Sequence, residues 1–157
     1  MTQALADSLK QEFLQITGIS VEAIFLSMGA SHQPSSLPIG MQGVYVFFTD
    51  AHCFKVGKAG PKSKARWNSH HYNLDETTPS AFTKSIVKNK PKFKEYFAHS
   101  QHSEIDQLEK GNIGDWIKSN ISRIEFLLPE SEGRYALSLL EALVQFRLKP
   151  KYEGRDA

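Results

Sequence analysis

A stretch between Gly43 and Lys58 constrains the fold of this chain more than any other part of its sequence. It contains two short runs rich in β-branched and aromatic residues, 43–48 and 53–57, and a short polar segment separates them. Two such runs joined by a tight loop are typical of a β-hairpin. The stretch therefore predicts a pair of antiparallel strands near the centre of the fold.

A pairing of Phe48 with His52 would place Tyr45 directly opposite Lys55 in this hairpin. Opposed residues point to the same face of a sheet, so that face would carry a phenol and an amine side by side. A lysine in the middle of an otherwise apolar strand needs an explanation, and a chemical role is one. The opposite face would carry the side chains of Val44, Val46, Phe54 and Val56.

The remaining segments predict helices around this hairpin. Residues 1–40 predict an N-terminal helical extension that packs on a main domain of residues 41–157, with 21–28 either a short helix or an extended run. The predicted elements are a helix at 1–17 carried by Leu5, Leu9, Phe13 and Ile16, a helix at 62–73, a helix from Thr78-Pro79 to Lys88, a strand at 123–128 and a helix at 133–148. This order predicts an α/β (α+β) domain with a small antiparallel sheet flanked by helices.

Charge is strongly segregated along the chain, although the net charge is only +2. Residues 54–74 and 84–94 carry cations and no acid, whereas acids collect between residues 104 and 132. A basic side suits a polyanionic partner such as nucleic acid, and solvated lysine-rich faces are the alternative. The candidate nucleic-acid-binding residues are Lys58, Lys62, Lys64, Lys84, Lys88 and Lys90.

The apolar runs are too short for a membrane span, and the N-terminus lacks the pattern of a secretory signal. We therefore expect a cytoplasmic protein without a membrane partner. The single Cys53 is most simply a small strand residue, because no obvious base neighbours it. Six histidines raise the question of zinc, but they lack the cysteine partners of a structural zinc site.

Three groups of residues are candidates for chemistry. Tyr45 and Lys55 form the first, and Arg66 and His70, one predicted helical turn apart, form the second. Glu141 is the third, an acid among apolar neighbours on the last predicted helix, with polar residues one turn either side. Taken singly, the second group fits a solvated helix face and Glu141 fits a residue at the boundary of the core.

Together these residues resemble the GIY-YIG nuclease superfamily over residues 41–152. Gly43-Val44-Tyr45 corresponds to the first tripeptide and Lys55-Val56-Gly57 to the second, where lysine replaces the expected tyrosine as in certain restriction endonucleases of the superfamily. Arg66, His70 and Glu141 match the arginine, the histidine of some members and the metal-binding glutamate. The run at 148–152 matches the usual ending of the family, although Glu153 stands where an asparagine is expected.

The resemblance implies hydrolysis of nucleic-acid phosphodiesters with one divalent cation, Mg²⁺ or Mn²⁺, held by Glu141. Arg66 would bind a phosphate oxygen, and Lys55 would deprotonate the attacking water with Tyr45 hydrogen-bonded nearby. His70 would orient the phosphate or Tyr45, or aid proton transfer. A lysine pKa of about 10.4 would have to fall by ~2–3 units for this role near neutral pH.

The sequence is also compatible with other functions. DNA is the favoured substrate of the proposed endonuclease, and a non-catalytic nucleic-acid-binding module with the same fold is the main alternative. A zinc-dependent or protein-binding domain is a third interpretation. Residues 1–40 leave little room for a dedicated recognition domain, so strict sequence specificity would need a homodimer or another partner.

Overall fold

Four strands and seven α-helices make up the part of the chain that the computed structural model describes, residues 3–75, 77 and 82–152. In chain order they are α1 (Gln3–Thr17), β1 (Glu22–Leu26), β2 (Met41–Phe48), β3 (Cys53–Ala59), α2 (Lys64–Asn68), α3 (Phe82–Lys88), α4 (Lys90–Lys94), α5 (His102–Asp106), α6 (Ile113–Asn120), β4 (Ser122–Pro129) and α7 (Gly133–Leu148). Single 3-10 turns precede α5 and α7.

The strands form one antiparallel sheet in the order β1-β4-β2-β3. The predicted class, an α+β fold with a small antiparallel sheet and flanking helices, is confirmed. Of the two structures considered for residues 21–28, the extended one forms, because β1 pairs with β4 along its whole length. Residues 1–40 thus supply an edge strand of the sheet as well as helix α1.

The β2–β3 hairpin forms, but its register differs from the predicted one. Tyr45 lies opposite Gly57 and Lys55 lies opposite Phe47, so the predicted direct pairing of Tyr45 with Lys55 is wrong. The register shifts between Phe47 and Phe48, where β3 carries one residue more than β2. Tyr45 and Lys55 still share a face, because strand residues two positions apart point to the same side.

The extra residue in β3 is Phe54, and it was assigned to the wrong face. The irregularity turns its ring toward the side of the sheet that carries Tyr45 and Phe47, away from Val44, Val46 and Val56. A bulge of this kind redirects one side chain of the strand. The Phe54 ring stacks on Phe97, with centroids 5.7 Å apart and planes 10° from parallel.

The sheet is covered by different helices on its two faces. Helices α1 and α7 pack on one face through an aliphatic cluster. Helices α2 to α6 pack on the other face through a cluster rich in aromatic rings. The buried helical residues of the first cluster are Ala6, Leu9, Phe13, Leu137, Leu140 and Val144, and those of the second include Trp67, Phe82, Ile86, Phe93, Ile105, Ile113 and Ile117.

The helix predicted over residues 62–73 is shorter, because its chain turns after Asn68. The backbone N–H groups of Ser69 and His70 both donate to the carbonyl oxygen of Ala65, each at 2.9 Å, and this closes the helix. The sequence predicted Arg66 and His70 on successive turns of one helix. This prediction is wrong, because α2 ends before His70. The predicted start of the next helix at Thr78-Pro79, and Glu153, lie outside the described residues.

Helix α7 spans Gly133–Leu148, as the sequence predicts. It ends at Lys149, whose φ of 48° is left-handed and whose N–H donates to the carbonyl of Gln145 at 2.9 Å. This cap releases the chain before Pro150, which cannot continue a helix. Neither α7 nor any other helix in the described ranges has the length and apolar character needed to cross a membrane.

Packing leaves no room for a side chain at Gly43, the glycine of the first tripeptide. A Cβ on Gly43 would lie 2.6 Å from a ring carbon of Trp67 and 2.7 Å from the carbonyl oxygen of Phe126. We expect Gly43→Ala to lower the free energy of unfolding by ~2–4 kcal/mol, because backbone and an indole ring must both shift. Urea denaturation measures the change.

Gly60→Ala is the matched control for this prediction. A Cβ there meets no heavy atom within 4 Å among the described residues, so its effect should stay within about 1 kcal/mol. Equal losses of stability in Gly43→Ala and Gly60→Ala would contradict the packing account.

Candidate active site

The Tyr45 hydroxyl is the centre of the candidate site. Its strand partner is Gly57, and a Cβ at that position would lie 2.3 Å from the hydroxyl oxygen, so only glycine leaves room for the ring. His71 Nε2 lies 2.6 Å from this oxygen, and Arg66 Nε donates to it at 3.5 Å. Tyr45 of the first tripeptide therefore packs on Gly57 of the second.

His71 holds the Tyr45 hydroxyl in a defined orientation. Burial, and then the charge of Lys55, keep the pKa of His71 well below its usual value, so its ring is neutral. The backbone N–H of Phe82 donates to Nδ1 at 3.2 Å, which leaves the proton on Nε2. Nε2–H then donates to the Tyr45 oxygen, and the phenolic proton of Tyr45 points away from His71.

The sequence predicted this role for His70, and the structure brings His71 to Tyr45. His70 lies half-buried just after α2, close enough for its charge to lower the pKa of His71. The early end of α2 changes the direction of the side chains that follow it. A signal for His71 was its position four residues after Trp67, which places both on one apolar stripe of a helix, but the spacing from Arg66 pointed to its neighbour.

Lys55 lies on the same face and is buried, with 7% of its surface exposed. Its Nζ donates to the carbonyl oxygen of Tyr152 at 3.5 Å. The chain after α7 reaches this position by pairing with β3: the Tyr152 N–H donates to the Phe54 carbonyl at 2.8 Å. The C-terminal run and the second tripeptide are therefore neighbours in space.

A buried ion pair, Arg123 with Glu125, lies beneath the site and was not identified from the sequence. Arg123 Nη2 lies 2.9 Å from Glu125 Oε1 and donates to the carbonyl of Trp67 at 2.6 Å. Burial raises the pKa of Glu125, although Arg123 opposes the shift. Because Glu125 is opposite Tyr45 in the sheet, the pair forms the floor of the site.

The sequence of β4 predicted a strand and nothing more. Its charged residues alternate with Ile124 and Phe126, so they point to one face of a strand that is buried on both sides. Charges at alternate positions of such a strand were the signal for a buried polar site on the face of Tyr45.

Glu141 lies on the other side of the sheet from Tyr45. Helix α7 packs on the aliphatic face, and Glu141 Oε2 lies 2.7 Å from Nζ of Lys58, which also donates to Ser138 Oγ at 3.2 Å. Lys58 is opposite Val44 and so shares that face. The predicted site residues thus form two groups, one around Tyr45 and one around Glu141, and each includes a lysine of the edge strand β3.

The predicted nucleic-acid-binding lysines differ in their surroundings. Lys62, Lys64 and Lys88 are exposed, and Lys84 is half-buried. Lys90 is also half-buried, and its Nζ donates to the carbonyl of Asp106 at 3.0 Å. Lys94, in the same basic stretch, pairs with the carboxylate of Asp106 at 2.7 Å. The carboxylate of Asp106 therefore offsets part of the positive charge of residues 84–94.

Among residues 3–75, 77 and 82–152, no three side chains of His, Cys, Asp or Glu lie close enough to hold a metal ion together. The carboxylate of Glu141 pairs with the ammonium of Lys58. A single carboxylate is a donor set that fits Mg²⁺, which keeps several of its waters.

Comparison with known proteins returned no match to any family model, curated protein or solved structure.

Proposed function

We propose that this protein is a metal-dependent endonuclease that hydrolyses nucleic-acid phosphodiester bonds, with DNA as the favoured substrate and the cytoplasm as its setting. The observation that carries the proposal is the convergence of Tyr45, Arg66 and buried Lys55 on one face of the hairpin. Arg66 comes from a different segment of the chain than the two hairpin residues. An amine that can act as a general base, beside a phenol and a guanidinium, suits attack on a phosphate.

Each residue of this group has a distinct task in the proposed reaction. Arg66 is exposed, and its planar guanidinium would bind a phosphate oxygen while Nε keeps its contact with Tyr45. Lys55 takes the proton of the attacking water. Tyr45, whose hydroxyl His71 orients, hydrogen-bonds to the same water or to the phosphate.

Glu141 would hold the divalent cation, Mg²⁺ or Mn²⁺. When bound, such a cation stabilises the leaving oxygen and the charge that develops on phosphorus. Within the protein, Lys58 keeps Glu141 directed toward β3, and Ser138 Oγ accepts a second hydrogen bond from the same ammonium. Lys58, predicted to bind the phosphate backbone, must leave Glu141 before it can do so.

This exchange gives a testable expectation for Lys58. We expect Lys58→Met to bind Mn²⁺ more tightly than wild type by on the order of fivefold, because the cation no longer displaces an ammonium from a partly exposed ion pair. Electron paramagnetic resonance of free Mn²⁺ measures the affinity directly. Lys62→Met, which removes an exposed lysine, is the control and should not change it. A weaker affinity in Lys58→Met would contradict the role of Glu141.

A non-catalytic nucleic-acid-binding module is the second candidate, and one observation favours it. Glu141 lies on the helix that covers the opposite face of the sheet from Tyr45, and Lys58 neutralises its charge. Such a protein would keep the exposed cations Lys62, Lys64 and Lys88 for phosphate contacts and would need no metal.

An assay of wild type on supercoiled plasmid, single-stranded DNA and RNA separates the two functions. Each substrate is incubated with Mg²⁺, with Mn²⁺ and with EDTA, and binding is measured in parallel. We expect cleavage of DNA only when a divalent cation is present. Binding without cleavage under every condition would favour the binding module and overturn the endonuclease.

A further inference from the structure

The exposed face of α7 carries an apolar stripe that neither group of site residues uses. Tyr135 is 76% exposed, Leu139 42% and Phe146 70%, and Ala142 between them is exposed as well. The face of α7 that contacts the sheet lies on the opposite side of the helix, through Leu137, Leu140 and Val144.

The spacing of this stripe is that of a coiled-coil seam. Its members follow one another at intervals of four, three and four residues, so they stay in line along about three turns of helix. Large side chains stand at the two ends and the small Ala142 stands near the middle. Contiguous apolar surface of this kind on a helix marks an interaction site.

We propose that α7 pairs with α7 of a second copy of this chain, antiparallel, about a two-fold axis between Leu139 and Ala142. The seam is complementary to itself in this arrangement, because each Leu139 packs on Ala142 of the second copy. Tyr135 packs on Phe146 of the second copy at both ends. This dimer stands independently of the proposed nuclease function.

Charges at the ends of α7 favour the antiparallel orientation. Exposed Glu130 and Glu132 precede the helix, and exposed Lys149 and Lys151 follow it. An axis between Leu139 and Ala142 brings the acidic end of each helix beside the basic end of the helix of the other copy. A parallel pair would place acids against acids and cations against cations, which is unfavourable.

Two arginines, Arg134 and Arg147, lie on either side of this stripe, and both have partners within their own chain. Arg147 Nε donates to Glu12 at 3.0 Å. The Arg134 guanidinium lies 4.9 Å from the centroid of the Tyr135 ring. Their charges are thus partly compensated before the second copy arrives.

Sedimentation velocity of the full chain over a range of concentrations tests the dimer. We expect wild type to dimerise with a dissociation constant in the micromolar range, and Leu139→Lys to raise it at least about a hundredfold because both copies lose the contact. Met28→Lys is the control, since Met28 has similar exposure, 44%, and lies outside α7. Wild type that stays monomeric, or equal effects of the two variants, would overturn the proposal.

Cysteine cross-linking tests the orientation, in a Cys53→Ser background that removes the native thiol. Ala142→Cys should form a disulfide-linked dimer, because the two equivalent positions lie near the axis. Phe146→Cys should not, because its copies would be about 16 Å apart along the helices, too far for a disulfide. Cross-linking of both variants at similar rates would indicate a parallel pair and contradict the inference.

Discussion

Glu141→Gln is expected to lower the rate of metal-dependent DNA cleavage by at least about a thousandfold, because a neutral amide cannot hold a divalent cation as a carboxylate does. Binding to the same DNA should be kept or slightly strengthened, since the substitution removes a negative charge and releases Lys58 from its ion pair. Plasmid nicking and fluorescence anisotropy measure the two properties separately.

Glu109→Gln serves as the control for this substitution, because Glu109 is an exposed acid outside α7. Its cleavage rate should equal that of wild type. A Glu141→Gln variant that cleaves as fast as Glu109→Gln would show that Glu141 does not hold the cation. A variant that loses cleavage and DNA binding together would indicate damage to the fold, which a thermal melt detects.

Lys55→Met should lower the cleavage rate by about a hundredfold to ten-thousandfold, the range that a general base contributes. Methionine keeps much of the volume of the buried side chain and removes the amine. Lys55→Arg separates two roles of the residue. Arginine keeps the positive charge but does not give up its proton, so it should restore no activity if Lys55 is the base.

An exposed lysine outside both basic runs provides the control, and Lys110→Met should retain the wild-type rate. If Lys55→Arg cleaves as fast as wild type, Lys55 acts only as a fixed positive charge. In that case Tyr45, which His71 orients, would be the remaining candidate for the base in this cluster.

Much of the fold could be predicted because local patterns and tertiary packing agree. Helix α7 has a continuous apolar stripe and a proline after its end, and its predicted range matches its range in the structure. Strand β4 is a run of buried residues closed by Pro129. In both elements the residues that favour the local structure also face the core, so no competing interaction overrides them.

The details of the hairpin could not be predicted from such patterns. Its register depends on one extra residue, Phe54, whose ring finds space among the aromatic side chains of α3 and α4. That space is created by distant segments of the chain. Residues 21–28 were ambiguous for a similar reason, because they become a strand only where β4 offers an unpaired edge.

Part of the candidate site could be predicted from the sequence. Tyr45 and Lys55 share a face in both the predicted and the observed register, because the partner of Tyr45 differs by two residues between them, and Arg66 follows from its position after the second tripeptide. His71 was not identified because the choice between adjacent histidines depends on where α2 ends. At that end the N–H groups of Ser69 and His70 both donate to the carbonyl of Ala65.

The decisive measurement is the rate at which wild type, Lys55→Met and Glu141→Gln nick supercoiled plasmid with Mg²⁺, at a protein concentration where all three bind the plasmid. We expect wild type to nick the plasmid, EDTA to stop the reaction, and both variants to bind without nicking. Equal rates in all three proteins, or binding by wild type with no cleavage, would rule out a metal-dependent endonuclease that uses Lys55 and Glu141.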